Sequence, residues 1–199
     1  MSYKLSSIQR DLVLGTILGD GNLEYPRWRG SRLQIKQMDG NKEYVLWLHS
    51  KLRSICKSLP KQRKDTKQWY FGTRYTRDLR ELYEVFYKNR QKVVPKSLKR
   101  NLKNPISLAV WYMDDGRLDF RPKDHYAYTI STDSFSVTEV GLLKEILEEN
   151  FGVRCNIHTP LCRGKRYPKL YIGSEGRDKF LSLIKPYILD CFKHKIPTK

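Results

Sequence analysis

The sequence lacks several features that would place it in common classes of protein. No apolar run approaches the roughly 20 residues needed to cross a bilayer, and the first ten residues, MSYKLSSIQR, lack the hydrophobic stretch of a signal peptide. The four cysteines form no Cys-x-x-Cys pair, and their spacing matches no standard zinc module. We therefore expect an intracellular protein with free thiols and no membrane partner, in a compartment that the sequence does not distinguish.

Acidic residues are scarce relative to basic ones. The chain of 199 residues contains 39 Lys and Arg against 21 Asp and Glu, which gives a formal net charge of +18. Such a surplus attracts polyanions, and nucleic acid is the most common large polyanion in a cell. The composition favours a protein that binds nucleic acid, but it predicts no chemistry.

The chain contains two related halves. The stretch LVLGTILGDG (12–21) resembles LAVWYMDDG (108–116), and the two align when Asp20 is placed on Asp115, 95 residues later. At the same offset, residues 33–52 resemble 128–147, where a short alternating strand precedes an amphipathic helix. Further similarity follows in both halves, and each half closes with a Lys shortly before a Pro. Matches in the same order indicate a duplicated unit.

The predicted domain boundaries follow from this repeat. We expect an N-terminal domain at 1–95 and a C-terminal domain at 96–199, joined by a basic connector at about 88–105. Each domain is predicted to run helix, strand, strand, helix, strand pair, helix. The duplication also predicts that one chain acts as a monomer.

Both apolar runs are predicted to be buried helices. Ser6 and Gln9 form a capping-box pattern before the first run, and Asn104-Pro105 offers an N-cap and a first-turn proline before the second. Apolar residues on all sides of a helix indicate burial on all sides. Gly15 and Gly19 would let another backbone approach closely, and the equivalent helix of the other half is the obvious partner.

The two helices are predicted to end in a shared acidic site. Each run ends in Asp-Gly, and a glycine just past a helix end is a common stop signal, so Asp20 and Asp115 should lie at helix C-termini. The helix dipole disfavours a carboxylate there by up to about 1 kcal/mol, and a neighbouring carboxylate disfavours it further. A hard divalent cation with oxygen ligands would compensate, and Mg²⁺ is the natural candidate in a cell.

The paired motifs resemble the signatures of LAGLIDADG homing endonucleases, in particular the single-chain, two-motif group encoded within mobile introns. The resemblance is strongest at 13–21 and 108–116, extends to 94–116 and 183–197, and covers nearly the whole chain. It implies an α+β fold of two pseudo-symmetric αββαββα domains. Their motif helices would pack at the domain interface, and their antiparallel sheets would form a DNA-binding saddle.

The same resemblance implies a metal-dependent endodeoxyribonuclease. Such an enzyme hydrolyses one phosphodiester per strand of a long, specific double-stranded DNA target and thereby promotes intron mobility. Carried over to this sequence, Asp20 and Asp115 would bind Mg²⁺, or Mn²⁺ in its place, together with the backbone carbonyls of Gly19 and Asp114.

Two lysines and two departures from the pattern complete the carry-over. Lys92 and Lys195 stand where the family has a basic residue beside the scissile phosphate. Val110 and Asp114 occupy the positions that correspond to Gly15 and Gly19, so the helix packing must be asymmetric. The role of the Asp114 side chain is open.

The predicted DNA contacts come from alternating polar residues on strands. In SRLQIKQMD (31–39), Arg32, Gln34 and Lys36 point to one face while Leu33 and Ile35 point to the other. Arg and Gln can make bidentate contacts with base edges in the major groove, although any antiparallel sheet also needs a solvated polar face. The remaining predicted DNA-binding residues are Arg27, Arg29, Thr129, Ser131, Arg163, Lys165 and Arg166.

Two other functions fit the same resemblance. One is an RNA maturase that binds its host intron RNA and assists splicing, and the other is a non-catalytic DNA-binding regulator on the same fold. Both acidic residues are present and RNA binding alone requires no metal cluster, so the sequence favours the nuclease.

Overall fold

The same succession of helices and strands occurs twice along the chain. The computed structural model describes residues 3–25, 28, 30–121, 125–162 and 164–197. The first half comprises α1 (Ser7–Leu18), β1 (Asn22–Leu23), β2 (Leu33–Gln37), α2 (Lys42–Lys51), β3 (Lys61–Gln62), β4 (Trp69–Gly72) and α3 (Arg77–Phe86). A hairpin of β5 (Tyr87–Lys88) and β6 (Gln91–Lys92) follows, and then a short helix, α4 (Leu98–Asn101).

The second half repeats this order with longer strands. It comprises α5 (Pro105–Asp115), β7 (Gly116–Arg121), β8 (His125–Ser131), α6 (Val137–Phe151), β9 (Asn156–His158), β10 (Leu161–Cys162), β11 (Lys165–Arg166), β12 (Lys169–Ile172) and α7 (Arg177–Ile184). Two 3₁₀ turns, Lys185–Tyr187 and Asp190–Lys195, complete the described chain.

The two main sheets have the same topology. Their strand orders are β1-β2-β4-β3 and β7-β8-β12-β9, and all neighbouring strands in them are antiparallel. This confirms the predicted α+β class with one antiparallel sheet in each half. The boundary at residue 95 stays a prediction, because a single hydrophobic cluster extends through both halves.

Part of the predicted connector, at about 88–105, forms regular secondary structure. Its β5–β6 hairpin turns through Asn89 and Arg90, which have positive φ angles of 49° and 66°. Two such residues are typical of the tight turns that match the twist of a hairpin. The turn places Lys92 opposite Tyr87. This local geometry was not apparent from the basic composition of the segment.

The motif helices begin where the sequence predicts. The Ser6 hydroxyl accepts from the Gln9 N–H at 3.3 Å, and the Gln9 side chain accepts from the Ser6 N–H at 3.1 Å. The Asn104 side chain accepts from the Ile106 N–H at 3.2 Å, with Pro105 in the first helical turn. Residues 12–18 of α1 and 106–113 of α5 are buried on all sides, as their apolar surfaces predict, while the start of α1 is exposed.

A close approach between α1 and α5 joins the two halves. A Cβ atom at Gly15 would lie 2.5 Å from the Ser107 carbonyl oxygen and 2.8 Å from the Val110 Cβ, so only glycine fits there. The Ser107 hydroxyl also donates to the Asp11 carbonyl at 2.8 Å, and the Asn104 amide donates to the Asp11 carboxylate at 2.7 Å. The predicted pairing of motif helices is confirmed.

The helix ends differ from the expected glycine stop. The first helix ends at Leu18, so Asp20 lies just beyond it, and the capping residue Gly19 has φ −97°. The second ends at Asp115, and Gly116 is extended with φ −80°. Neither of the glycines predicted as stop signals, Gly21 and Gly116, adopts the left-handed conformation, and Gly19 does not adopt it either. Gly116 is required by space instead, because a Cβ there would lie 2.0 Å from the Tyr112 ring.

Two further observations concern membrane-spanning helices and the cysteines. Within the described ranges, no helix is both long and apolar enough to span a membrane. Cys56, Cys155 and Cys191 are free thiols, and the first two are buried.

The close approach at Gly15 predicts a loss of stability on adding one methyl group. We expect Gly15→Ala to lower the free energy of unfolding by about 1–3 kcal/mol, because the rigid backbone of α5 cannot move aside. The matched control is Gly141→Ala in α6, where a Cβ would meet nothing within 4 Å. That change should instead raise stability by about 0.5–1 kcal/mol through helix propensity. Urea unfolding measures both, and equal stability of Gly15→Ala and wild type would contradict the packing described.

Candidate active site

Three aspartates meet where the C-terminal ends of α1 and α5 come together. Asp20 is exposed, and Asp114 and Asp115 are half-buried. The Asp20 N–H donates to Oδ2 of Asp114 at 3.2 Å. Nε2 of Gln37 donates to Oδ2 of Asp20 at 2.8 Å and to Oδ1 of Asp114 at 3.2 Å. The structure therefore brings the acidic ends of both motifs into one cluster.

Asp114 occupies space that Gly19 leaves open. A Cβ at Gly19 would lie 2.5 Å from the Cβ of Asp114 and 2.6 Å from its Oδ2. The carboxylate thus crosses to the end of α1 and accepts the backbone N–H of Asp20. The sequence left the role of the Asp114 side chain open. In the structure, it fills the space beside Gly19 and accepts a hydrogen bond from the backbone just after α1.

Burial and neighbouring charges raise the pKa of two carboxyl groups in the cluster. Burial, followed by the charge of Asp20, raises the pKa of Asp115 to about 7, against the opposing effect of Lys92 and Lys195. Burial and then the charge of Asp20 raise the pKa of Asp114 well above its usual range. Like charges held together in a partly desolvated place are costly, so the cluster favours a positive ligand.

Two lysines approach the ends of the two motif helices in corresponding ways. Nζ of Lys92 donates to the Gly19 carbonyl at 2.6 Å. Nζ of Lys195 donates to the Met113 carbonyl at 2.7 Å and to the Asp114 carbonyl at 3.4 Å. The last carbonyls of a helix carry partial negative charge, which explains the attraction. Burial lowers the pKa of both lysines, while the three aspartates oppose that shift.

The donor set at this junction is of the type that a hard divalent cation binds, although no group of three or more acidic, His or Cys side chains among the described residues is placed to hold a metal ion. It consists of the Asp20 and Asp115 carboxylates and the backbone carbonyls of Gly19 and Asp114, and such cations prefer oxygen ligands. Each carbonyl also accepts from a lysine, which leaves its second lone pair for a cation. The buried hydroxyl of Tyr44 lies beside the Asp114 carboxylate, and burial, followed by the charge of Asp114, raises the pKa of Tyr44 well above its ordinary value.

Gln37 is a site residue that the sequence analysis missed. It lies on β2 in the same alternation as the buried Leu33 and Ile35, so a polar side chain occurs on an otherwise apolar face. This polar residue on an apolar face was the feature of the sequence that could have identified Gln37 as a site residue. The Asn41 amide donates to Oε1 of Gln37 at 3.1 Å, which directs Nε2 toward the carboxylates. Its counterpart 95 residues later, Thr132, instead donates to a backbone carbonyl, so the second half lacks this amide.

Three predicted DNA-contacting residues of the first half, Arg32, Gln34 and Lys36, line an open groove beside Asp20. The alternation in β2 is confirmed, because Leu33 and Ile35 are buried while Gln34 and Lys36 are partly or fully exposed. The groove has a volume of about 900 Å³. Its polar and charged lining residues are Asp20, Asn22, Arg32, Gln34, Lys36, Gln37, Arg63, Gln68 and Tyr70.

The predicted contacts of the second half are less closely grouped. Thr129 and Ser131 lie on β8, and the pairing of β8 with β12 places them opposite Tyr171 and Lys169. Lys165 and Arg166 are exposed on β11, in a separate two-stranded sheet. Arg27, Arg29 and Arg163 lie outside the described residues. Contact of each with DNA stays a prediction.

The charge repulsion at Asp115 predicts a pH-dependent penalty in metal-free buffer. The carboxyl has a pKa of about 7 in the folded chain and about 3.9 when unfolded. The folded state therefore binds more protons in this interval, and its stability should fall as pH rises from about 4 to about 7. In EDTA, we expect Asp115→Asn to exceed wild type in free energy of unfolding by about 1–3 kcal/mol near pH 8, and by less near pH 5.

Urea unfolding at both pH values measures this difference, with Asp119→Asn on the exposed part of β7 as the control. Ca²⁺ should restore stability to wild type at the higher pH and have little effect on Asp115→Asn. Equal pH dependence in wild type and Asp115→Asn would contradict the charge repulsion described.

Solved structures of DNA-bound proteins share this fold. The homing endonuclease I-WcaI, bound to its DNA recognition sequence, matches with a TM-score of 0.84 and 26% identity, over 98% of this chain and 88% of that chain. The structure of I-DmoI in complex with DNA and Mn matches with a TM-score of 0.54 and 21% identity, over 92% of this chain and 99% of that chain. The second likeness shows the fold alone.

Curated relatives include endonucleases and a maturase. The DNA endonuclease I-ChuI of Chlamydomonas applanata is 29% identical, over 96% of this chain and 95% of its own length. The intron-encoded endonuclease ai4 of Dictyostelium discoideum is 31% identical, over 68% and 81%. The cytochrome b mRNA maturase bI2 of Debaryomyces hansenii is 26% identical, over 94% and 72%.

The sequence profile of the LAGLIDADG DNA endonuclease family matches residues 10–180. This range contains both motifs and both main sheets, so the match includes the acidic junction and the polar groove together. The chain belongs to the LAGLIDADG DNA endonuclease family.

Proposed function

We propose that this protein is a site-specific homing endonuclease that hydrolyses one phosphodiester in each strand of duplex DNA and so promotes intron mobility. The observation that carries the proposal is the junction of the two motif ends. There Asp20 and Asp115, one from each half, lie with Lys92 and Lys195 in one electrostatic cluster. Cutting both strands of a duplex requires two phosphate sites, and each half supplies one acid and one lysine.

The acids have the role of holding divalent cations. Asp20, Asp115 and the carbonyls of Gly19 and Asp114 are the oxygen atoms available for Mg²⁺, or for Mn²⁺ in its place. When bound, such ions lower the pKa of water and stabilise a leaving oxygen. Gln37 restrains Oδ2 of Asp20, so Oδ1 of that carboxylate stays accessible from the groove.

The lysines have the role of stabilising charge that develops on each scissile phosphate. An ammonium group has three N–H donors. Lys92 uses one of them on the Gly19 carbonyl, and Lys195 is held in a comparable way at the end of α5. A donor fixed in advance costs no reorganisation during the reaction, which is the basis of electrostatic catalysis.

The polar faces of the two sheets have the role of binding the duplex. Arg32, Gln34 and Lys36 border the groove that contains Asp20, and we assign them to base or phosphate contacts together with the corresponding Thr129 and Ser131. The target is long because both halves, at 1–95 and 96–199, contribute surface. A single chain contains both halves, so we propose that the monomer is the active unit.

An RNA maturase is the second candidate function. The likeness to the maturase of Debaryomyces hansenii supports it, since that relative covers nearly the whole chain. Binding of the host intron RNA would use the basic surface but leave the acidic junction without a task. A non-catalytic DNA-binding regulator would likewise not need two carboxylates held against their mutual repulsion.

Cleavage of a plasmid that contains the intronless home sequence tests the proposed function. We expect linear product with Mg²⁺ or Mn²⁺ and none in EDTA. Asp20→Asn and Asp115→Asn should each slow cleavage by at least about a hundredfold, because the cations lose a carboxylate ligand. Gel-shift affinity for the same duplex should change little. Binding of intron RNA without plasmid cleavage would favour the maturase, and unfolded variants would mean that the acids serve the fold.

The lysine roles predict a larger effect on turnover than on binding. We expect Lys92→Met and Lys195→Met each to lower the single-turnover rate by about 10²–10³, since each removes a positioned donor. Affinity for the duplex should fall only slightly. Lys99→Met is the matched control, because this exposed lysine pairs with Glu145 and Glu149 away from the junction. Equal losses of rate and affinity would identify the two lysines as phosphate contacts without a catalytic role.

A further inference from the structure

A carboxylate lies among the donors of the DNA-facing groove. Oε1 of Glu24 accepts from Nη2 of Arg32 at 2.7 Å and also from Nε2 of Gln34. Its Oε2 accepts from the Tyr75 hydroxyl at 2.6 Å. One side chain thus connects three donors, two from the β2 segment and one from the loop before α3.

The backbone places this carboxylate directly beside its partners. The Glu24 N–H donates to the Arg32 carbonyl at 3.0 Å, which extends the pairing of β1 with β2 by one step. Residues opposite each other across such a pair have neighbouring side chains. The Arg32 guanidinium also lies 5.3 Å from the centre of the Tyr75 ring. Both the position and the orientation of Arg32 are therefore restrained.

A carboxylate at this position weakens the electrostatic attraction of the groove for DNA of any sequence. The groove must receive a polyanion, and a carboxylate within it repels phosphate. The Glu24 side chain is 23% exposed, so its charge is only partly screened by solvent. The side chains that it holds are Arg and Gln, the two types that match guanine and adenine edges with paired hydrogen bonds. This combination favours discrimination between sequences over strength of binding.

We propose that Glu24 is a specificity-determining positioning residue that presets Arg32 and Gln34 for base readout by the N-terminal half. The inference deepens the proposed function and rests on it. With the described residues, Nη1 and one N–H of Nη2 in Arg32 make no other hydrogen bond, nor do Oε1 and one amide N–H in Gln34, so these groups face a base edge. These donors and acceptors fit guanine for Arg32 and adenine for Gln34 in the major groove.

Two physical effects give Glu24 this role. Long side chains that are already ordered lose less conformational freedom on binding, so a correct contact is stronger. An arginine tied to a carboxylate is also less able to swing toward a nearby phosphate, which weakens binding to the wrong sequence. Both effects widen the difference between specific and non-specific duplexes.

The second half provides an internal comparison. At the offset of 95 residues, Glu24 corresponds to Asp119, while Arg32 and Gln34 correspond to Ala127 and Thr129. Asp119 lies opposite Ala127 in the β7–β8 pairing, so an acid is present where no arginine accompanies it. Among the described residues, an acid that holds Arg and Gln side chains in position for base readout therefore occurs in the first half and not at the corresponding place in the second. Asp119→Asn is a matched control that removes an acid of the opposite half.

Selection from a pool of duplexes with randomised sequence tests the inference. The wild-type protein is first used in EDTA to select bound duplexes, and a panel of single base-pair substitutions in the selected sequence is then measured. Arg32→Ala and Gln34→Ala identify the base pairs that these two side chains read. We expect Glu24→Gln to lose about tenfold in discrimination at those same base pairs. Binding to random duplex should be unchanged or tighter, because a negative charge is gone.

The other variants separate positioning from a general effect on the fold. Tyr75→Phe should give a smaller loss at the same base pairs, and Asp119→Asn should leave all base preferences unchanged. Unchanged preferences in Glu24→Gln would overturn the inference, as would a loss spread evenly over both halves of the target. A wild-type protein that enriches no sequence would overturn the proposed function itself, before any variant is compared.

Discussion

The repulsion among Asp20, Asp114 and Asp115 is the constraint on which the site depends. Helix ends that carry partial negative charge also carry carboxylates, and close packing of α1 on α5 forces these groups together. Each nearby feature reduces that cost: two lysines bind the terminal carbonyls, Gln37 donates to two carboxylates, and oxygen atoms remain for a cation. The fold thus maintains a local electrostatic penalty that binding of a cation would relieve.

The two halves are similar in fold but unequal in chemistry. Asp114 crosses to the first motif, while Gly19 sends no side chain back. Gln37 approaches the acids, whereas its counterpart Thr132 bonds to a backbone carbonyl. A duplicated unit within one chain is free to diverge in this way, because no symmetry operation requires both copies to use the same residues. The two halves therefore present unequal surfaces.

Most of the fold could be predicted from local rules of capping and hydrophobic periodicity. The caps at Ser6 and Asn104, the buried motif helices and the alternation along β2 follow from hydrogen-bonding needs and hydrophobic periodicity, and the structure contains them. The site was less accessible. Gln37 bonds to Asp114 and Glu24 bonds to Tyr75, contacts between residues distant in sequence, and the end of the helix at Gly116 depends on the position of a tyrosine ring. Such contacts exist only after the chain has folded, so spacing alone does not reveal them.

The last described turn of the chain has a consequence for how such proteins can be recombined. Phe192, near the C-terminus, packs edge-on against Tyr44 of α2 at 5.2 Å between ring centres, and the Cys191 N–H donates to Glu43. The tail of one half is therefore seated on a helix of the other. A chimera that joins the first half of this protein to the second half of a relative would need to bring these contacts with it, or transplant them as a set. The two halves are repeated in sequence, but one half cannot be exchanged without regard to these contacts.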